Sequence, residues 1–139
     1  MLVQYGIQHQ GGPIMGTAPL GSVVNVYLIW YGSGWATAGK ASIRSFMQNV
    51  GGSDWWGTMG SYMDTAGRYI NVDRGSVVLA GEVSITTGKT SLSDNDVWSK
   101  VSTSISSGAL PNDVNGVYFV LSDASTNQVS DPTQSFCKT

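Results

Sequence analysis

The chain has 139 residues, enough for one domain with a sizeable core that needs neither disulfide nor metal to fold. With 7 Lys and Arg against 9 Asp and Glu, the formal net charge of -2 offers no basic footprint for nucleic acid or an anionic membrane surface. Charged residues make up only 12%, about half the usual share, so solubility rests on hydroxyl side chains and on a backbone with 18 glycines.

Residues 1–22 hold two turn signals, Gly11-Gly12-Pro13 and Pro19-Leu20-Gly21, and read as an extended leader with at most a short strand. Met1 to Gln10 contains neither a basic n-region nor an apolar h-region, so no signal peptide is expected there. From Val23 to Tyr31 both alternating faces are apolar apart from Asn25, the pattern of a strand covered on two sides. Its longest apolar run, Val26 to Tyr31, falls far short of the roughly 20 residues that span a bilayer, so no membrane segment is expected.

Ile43, Phe46, Met47 and Val50 recur at helical spacing before Gly51-Gly52, which predicts an amphipathic helix over Thr37 to Val50. Ser53 is placed to cap a second helix whose face carries Trp55, Met59, Tyr62 and Met63, although Gly57 and Gly60 each cost about 1 kcal/mol of propensity. Arg68 to Val72 and Ser76 to Thr86 read as an antiparallel hairpin turning at Asp73-Arg74-Gly75. Ser93 with Asp96 makes a capping box ahead of the stripe Val97, Trp98, Val101, Ile105, and Gly108 ends that helix. A turn at Leu110-Pro111-Asn112-Asp113 leads into a buried strand, Val117 to Leu121, after which the residues are polar. The plan is a single α/β domain with a mixed β-sheet and about three helices in β-α-α-β-β-α-β order: leader 1–22, core 23–122, polar tail 123–139.

The candidates for chemistry are few. His9 is the only histidine and has no second ligand at metal spacing, so neither a zinc site nor a triad built on it is expected, and no cofactor is. Cys137 is the only cysteine, which excludes an internal disulfide. Asp94-Asn95-Asp96 lacks the glycine and bidentate glutamate of a calcium loop and reads as helix capping; Asp113-Val114-Asn115-Gly116 reads as a turn. Glycosidase chemistry needs two carboxyls about 5 to 10 Å apart, and Glu82, the only acid inside a strand, reads as an edge-strand charge. Gly32-Ser33-Gly34 follows a strand but lacks the rest of a phosphate-loop pattern. No catalytic residue is assigned.

Five tryptophans are many for this length. Trp30 and Trp98 lie on stripes that read as core. Trp35, in the loop after the first strand, and one of Trp55 and Trp56, which cannot both face inward on a helix, are the candidates for an exposed aromatic binding surface.

Tyr27-Leu28-Ile29-Trp30-Tyr31-Gly32, Ser53-Asp54-Trp55-Trp56, Leu92-Ser93-Asp94-Asn95-Asp96-Val97-Trp98, Asn115-Gly116-Val117-Tyr118-Phe119-Val120-Leu121-Ser122 and Ser135-Phe136-Cys137 stand in an order that resembles the Exordium-like (phosphate-induced protein) family, matching the N-terminal half of its domain. After a Phe-Cys step that family continues with further cysteine and a Cys-Gly-x-His segment, where this chain has Lys138-Thr139. The resemblance implies a secreted, extracellular, cell-wall-associated protein with a role in growth or stress responses. Its partner would be a wall polysaccharide or an extracellular protein, bound through exposed aromatics. The family also looks to carry, outside this chain, a His-Glu-x-x-Glu-like helix reminiscent of zincin metallopeptidases. On that alternative this chain supplies the substrate-side sheet, with Val117 to Leu121 as an edge strand for peptide addition. A self-assembling structural module acting through free strand edges is the third reading.

Overall fold

The computed structural model describes residues 14–17, 23–131 and 134–135. The doubly apolar run forms β1 (Val24–Tyr31), and it is central: β2 (Val77–Ile85) and β4 (Gly116–Ser122) pair with it on either side, both parallel. The strand order β2-β1-β4 places the non-local partners of β1 more than forty residues away in sequence. Val24, Val26, Leu28 and Trp30 point to one face; Tyr27 and Ile29 point to the other. Both sets are buried, which is what a parallel strand with covers above and below requires.

On the first face, Ile43, Met47 and Val50 from α1 (Thr37–Asn49) and its C-terminal cap pack against Val26, Leu28 and Val77. On the second, Val101 of α3 (Asp94–Ser106) packs, with Val83, Tyr118 and Val120, against the buried cluster of Tyr27, Ile29 and Leu110. The predicted capping box is present: the Ser93 hydroxyl accepts from the Asp96 amide at 3.2 Å while the Asp96 carboxylate accepts from the Ser93 amide at 3.0 Å. Gly108, at φ +75°, lets the chain leave the helix in a left-handed turn. Gly116 is needed for contact: a Cβ there would sit 2.8 Å from the Tyr27 ring, which stacks on Tyr118 at 4.8 Å. A second, small sheet joins β3 (Ser91–Leu92), β5 (Asn127–Asp131) and β6 (Gln134–Ser135), with β3 parallel and β6 antiparallel to β5.

The single α/β domain with three helices stands, and several local expectations change. The antiparallel hairpin does not form. Residues after Asp73-Arg74-Gly75 enter β2, which pairs parallel with β1, and residues 68–72 contribute only the isolated bridge Met63 to Tyr69. A strand whose partner is the buried β1 gains an apolar face that a two-stranded ribbon cannot supply. Mixed pairing occurs in the β3-β5-β6 sheet instead. The second helix is one turn, α2 (Asp54–Gly57), which tightens into a 3-10 turn (Thr58–Ser61) at the glycines that weaken it. Trp98, placed in the core by its stripe, is 71% exposed on the outer side of α3. The polar stretch after residue 122 includes β5, held by backbone pairing with β3. Of the leader, only residues 14–17 are described: the Gly16 amide donates to Asn115, and Gly16 accepts from the Asn71 amide. The rest of the leader, with His9, and Cys137 lie outside the described residues.

Candidate functional site

In a sheet of this order the chain leaves β1 in one direction and later crosses back, so the C-terminal ends of β1 and β4 form the switch-point crevice where open α/β sheets bind ligands. Here that crevice holds the protein's own carboxylate. Asp123 follows β4 and is buried; it accepts from the Gly34 amide at 2.6 Å, the Ser125 hydroxyl at 2.7 Å and the Thr126 hydroxyl at 3.1 Å. The Ser125 and Gly34 donors hold its pKa below the usual carboxylate range. Gly32, at φ +101°, passes so close that a Cβ would meet the Asp123 carboxylate at 2.2 Å. A phosphate at Gly32-Ser33-Gly34 would compete with this carboxylate for the Gly34 amide.

The opposite pole is also built inward. Asp113 accepts from Asn25 at 2.7 Å, from the Tyr27 hydroxyl at 2.9 Å and from the Asn115 amide at 2.8 Å. The Asn25 contact leads the lowering of the Asp113 pKa, while burial and the neighbouring carboxylate push Tyr27 up to about 12. Asn115 reaches the Val23 carbonyl through its side-chain amide. The acidic turn is therefore a clamp on the start of β1 and β4. Glu82 faces solvent from the β2 edge, bidentate to Arg44 at 2.8 Å and accepting from Trp30 Nε1 at 3.1 Å. Among the described residues, no group of three or more His, Cys, Asp or Glu is placed to hold a metal ion. No helix there is long and apolar enough to cross a membrane.

The three tryptophans singled out by sequence fare differently. Trp35 packs edge-on against Trp30 at 4.9 Å and donates to the Tyr31 carbonyl, so the loop indole belongs to the core margin. Trp56 turns inward and donates to the Asn71 carbonyl at 3.2 Å. Trp55 is the outward member of the pair, 62% exposed, with its ring 6.2 Å from that of Trp56. Beside it lies exposed Phe46 of α1, and the two wall an apolar groove of about 150 Å³ whose floor includes Val26, Val117 and Phe119.

A second aromatic surface was not read from the sequence. Residues 62–70 form a tight ribbon: the Asp64 amide donates to Arg68 O and the Ile70 amide to Tyr62 O, setting Met63 and Tyr69 directly opposite each other. Its turn is fixed by the buried Asp64 carboxylate, which accepts from the Ala66 and Arg68 amides and pairs with the Arg68 guanidinium at 2.7 Å. Those Arg68 contacts hold Asp64 below the usual carboxylate range. The ribbon presents Tyr62, 59% exposed, and Tyr69, 60% exposed, together with exposed Met63. Helical spacing assigned Tyr62 and Met63 to α2, and the alternation around Tyr69 suggested a sheet strand. The signal that points to the ribbon is Asp64 followed by Gly67, an Asx turn with a left-handed glycine.

Comparison with known proteins adds identity. Residues 7–139 match the family described as the phosphate-induced protein 1 conserved region. Protein EXORDIUM-like 5 of Arabidopsis thaliana is 35% identical over 86 residues, a stretch that covers 56% of this chain and 22% of that protein. The chain thus matches about a fifth of the length of this curated relative. No solved structure matches. Strand β1, the Trp55-Trp56 step, capped helix α3 and strand β4 all lie within the matched region, and the chain belongs to the Exordium-like, phosphate-induced protein 1 family.

Proposed function

We propose that this chain is part of an extracellular, cell-wall-associated protein acting in growth or stress responses, and that it binds a wall polysaccharide through the ribbon of residues 62–70. The observation that carries this reading is the pair Tyr62 and Tyr69, each about six-tenths exposed on a turn locked by the Asp64–Arg68 ion pair. Exposed aromatic faces stack on the apolar faces of sugar rings, and the phenol hydroxyls and the half-exposed Arg68 guanidinium supply donors for ring hydroxyls. A preformed ribbon binds with less loss of conformational freedom than a loop that must order. No nucleophile or metal is needed for this role. The test is co-sedimentation with insoluble cellulose, xylan and pectin: the native chain pellets with at least one polymer, and Tyr69→Ala stays in the supernatant. No retention on any of the three polymers, or retention unchanged in Tyr69→Ala, would refute the reading.

A second reading rests on β4, whose outer edge has no strand partner among the described residues. That edge suits addition of an extended peptide, as in the substrate-side half of a zincin-like fold, or a strand of a second copy. A concentration-independent monomer mass would remove self-assembly, and protection of β4 amides from hydrogen exchange on adding a peptide would favour the former.

A further inference from the structure

The ribbon of residues 62–70 carries a charge as well as aromatic rings, and the way that charge is held narrows the sugar it suits. Along the ribbon Asp64 lies opposite Arg68, Met63 opposite Tyr69, and Tyr62 opposite Ile70. Side chains alternate between the two faces, so Tyr62 and Arg68 stand on one face as diagonal neighbours. Their backbones are about 7–8 Å apart, a gap that an aromatic ring and a long side chain both span.

The Asp64–Arg68 ion pair is one-sided. The Asp64 side chain is fully buried, and its carboxylate accepts from the Ala66 and Arg68 amides and from the guanidinium. The Arg68 side chain keeps 43% of its surface in water. Its Nε and Nη2 both reach the same Asp64 oxygen, at 2.8 and 2.7 Å. That leaves Nη1 and the second N–H of Nη2, an end-on fork of the shape that takes a carboxylate in its plane. The negative partner thus lies beneath the turn and the positive one on its surface. Coulomb attraction falls with distance, so an anion at the free fork feels the guanidinium more strongly than the carboxylate behind it. The formal net charge of -2 supplies no diffuse pull on anions, so any preference for one is local. Resting on the ribbon as the polysaccharide site proposed above, we infer that its preferred ligand is an acidic polysaccharide, a polymer of uronic acid units, with one ring on Tyr62 and its carboxylate accepting from Arg68. A neutral ring at the same place leaves the fork to water.

The test compares one sugar in two charge states. Isothermal titration of the native chain uses an oligogalacturonan and its fully methyl-esterified form, at low and high salt. At low salt the free acid binds about tenfold more tightly than the ester, and the difference shrinks as salt rises. Arg68→Gln brings the acid-to-ester affinity ratio close to one. Arg74→Gln removes another exposed cation, one outside the ion pairs of the described residues, and leaves the ratio as in the native chain. Should Arg68→Gln bind neither form, Arg68→Lys decides, because it keeps the charge and loses the planar fork: a lowered ratio supports the assignment and an unchanged one overturns it. An ester bound as tightly as the acid by the native chain, or a ratio that follows Arg74 and not Arg68, overturns the inference while leaving sugar binding by the ribbon intact. No binding of the acid, the ester or neutral xylo- and cello-oligosaccharides removes the ribbon as a sugar site, and the inference with it.

Discussion

Leu28 and Phe119 are register partners on the same face of the sheet, one fully buried and the other 37% exposed, and they give a direct energetic measure of how that face is covered. Leu28→Ala removes three buried carbons, about 2.5 kcal/mol at about 0.8 kcal/mol per methylene. The packed surroundings under α1 relax only in part, which raises the cost to about 3–5 kcal/mol. Phe119→Ala removes a larger side chain, but over a groove open to solvent it leaves no closed cavity, and about 1–2 kcal/mol is expected from the contact that remains. Urea unfolding followed by tryptophan fluorescence and far-UV circular dichroism gives both values. With m between about 1 and 3 kcal/mol/M, the difference separates the two midpoints by about 1 M. A Phe119→Ala cost equal to or above that of Leu28→Ala would refute the reasoning, because it would mean that the β4 strip is already enclosed.

Further tests follow from particular contacts. Gly32→Ala combines a left-handed backbone with a collision against the Asp123 carboxylate, whereas Gly67→Ala, at φ +75° with open space around it, carries only a backbone cost of about 1–2 kcal/mol. Thermal unfolding should therefore show Gly32→Ala well below Gly67→Ala, and equal melting temperatures would contradict the packing around Asp123. Asp113 and Asp123 ionise more readily folded than unfolded, so their stabilisation is complete at neutral pH and is lost as pH falls from about 4 through their lower folded values. The melting temperature should fall on acidification below about pH 4, less steeply in Asp123→Asn. Tyr27, raised to about 12, works in the opposite direction: its contribution is full below about pH 10 and is lost as pH rises through about 12. Ultraviolet titration should show Tyr27 ionising only as the alkaline transition sets in, and Tyr27→Phe should abolish that late component. Ser93→Ala should cost about 1 kcal/mol by loss of the α3 cap, measured by urea unfolding.

The parts of the fold legible in the sequence are those set by local chemistry. β1 announces itself by apolar residues on both faces, α1 by its spacing and α3 by the Ser93–Asp96 box, and all three form where expected. What escaped is set by distance along the chain. β2 finds β1 in place of residues 68–72 because the buried strand offers it more apolar contact, a preference no short window contains. Trp98 shares a helical stripe with Val101, yet only the true packing direction of α3 decides which edge of the stripe meets the sheet. Trp35 and Trp56, which the sequence offers as candidates for an exposed binding surface, each donate the indole N–H to a backbone carbonyl nearby. The aromatic surface instead falls to Tyr62 and Tyr69, made neighbours by a turn whose Asp and Gly were visible and whose ribbon was not.

The central claim, that the tyrosine ribbon binds wall polysaccharide, is tested most directly by isothermal titration of the chain with soluble cello-, xylo- and galacturonan oligosaccharides, repeated with Tyr62→Ala, Tyr69→Ala and Trp55→Ser. The account expects saturable binding of at least one oligosaccharide, lost in Tyr69→Ala, weakened in Tyr62→Ala and unchanged in Trp55→Ser. Binding that survives both tyrosine changes, or no heat with any sugar from a chain whose near-ultraviolet circular dichroism shows fixed packing, would contradict it.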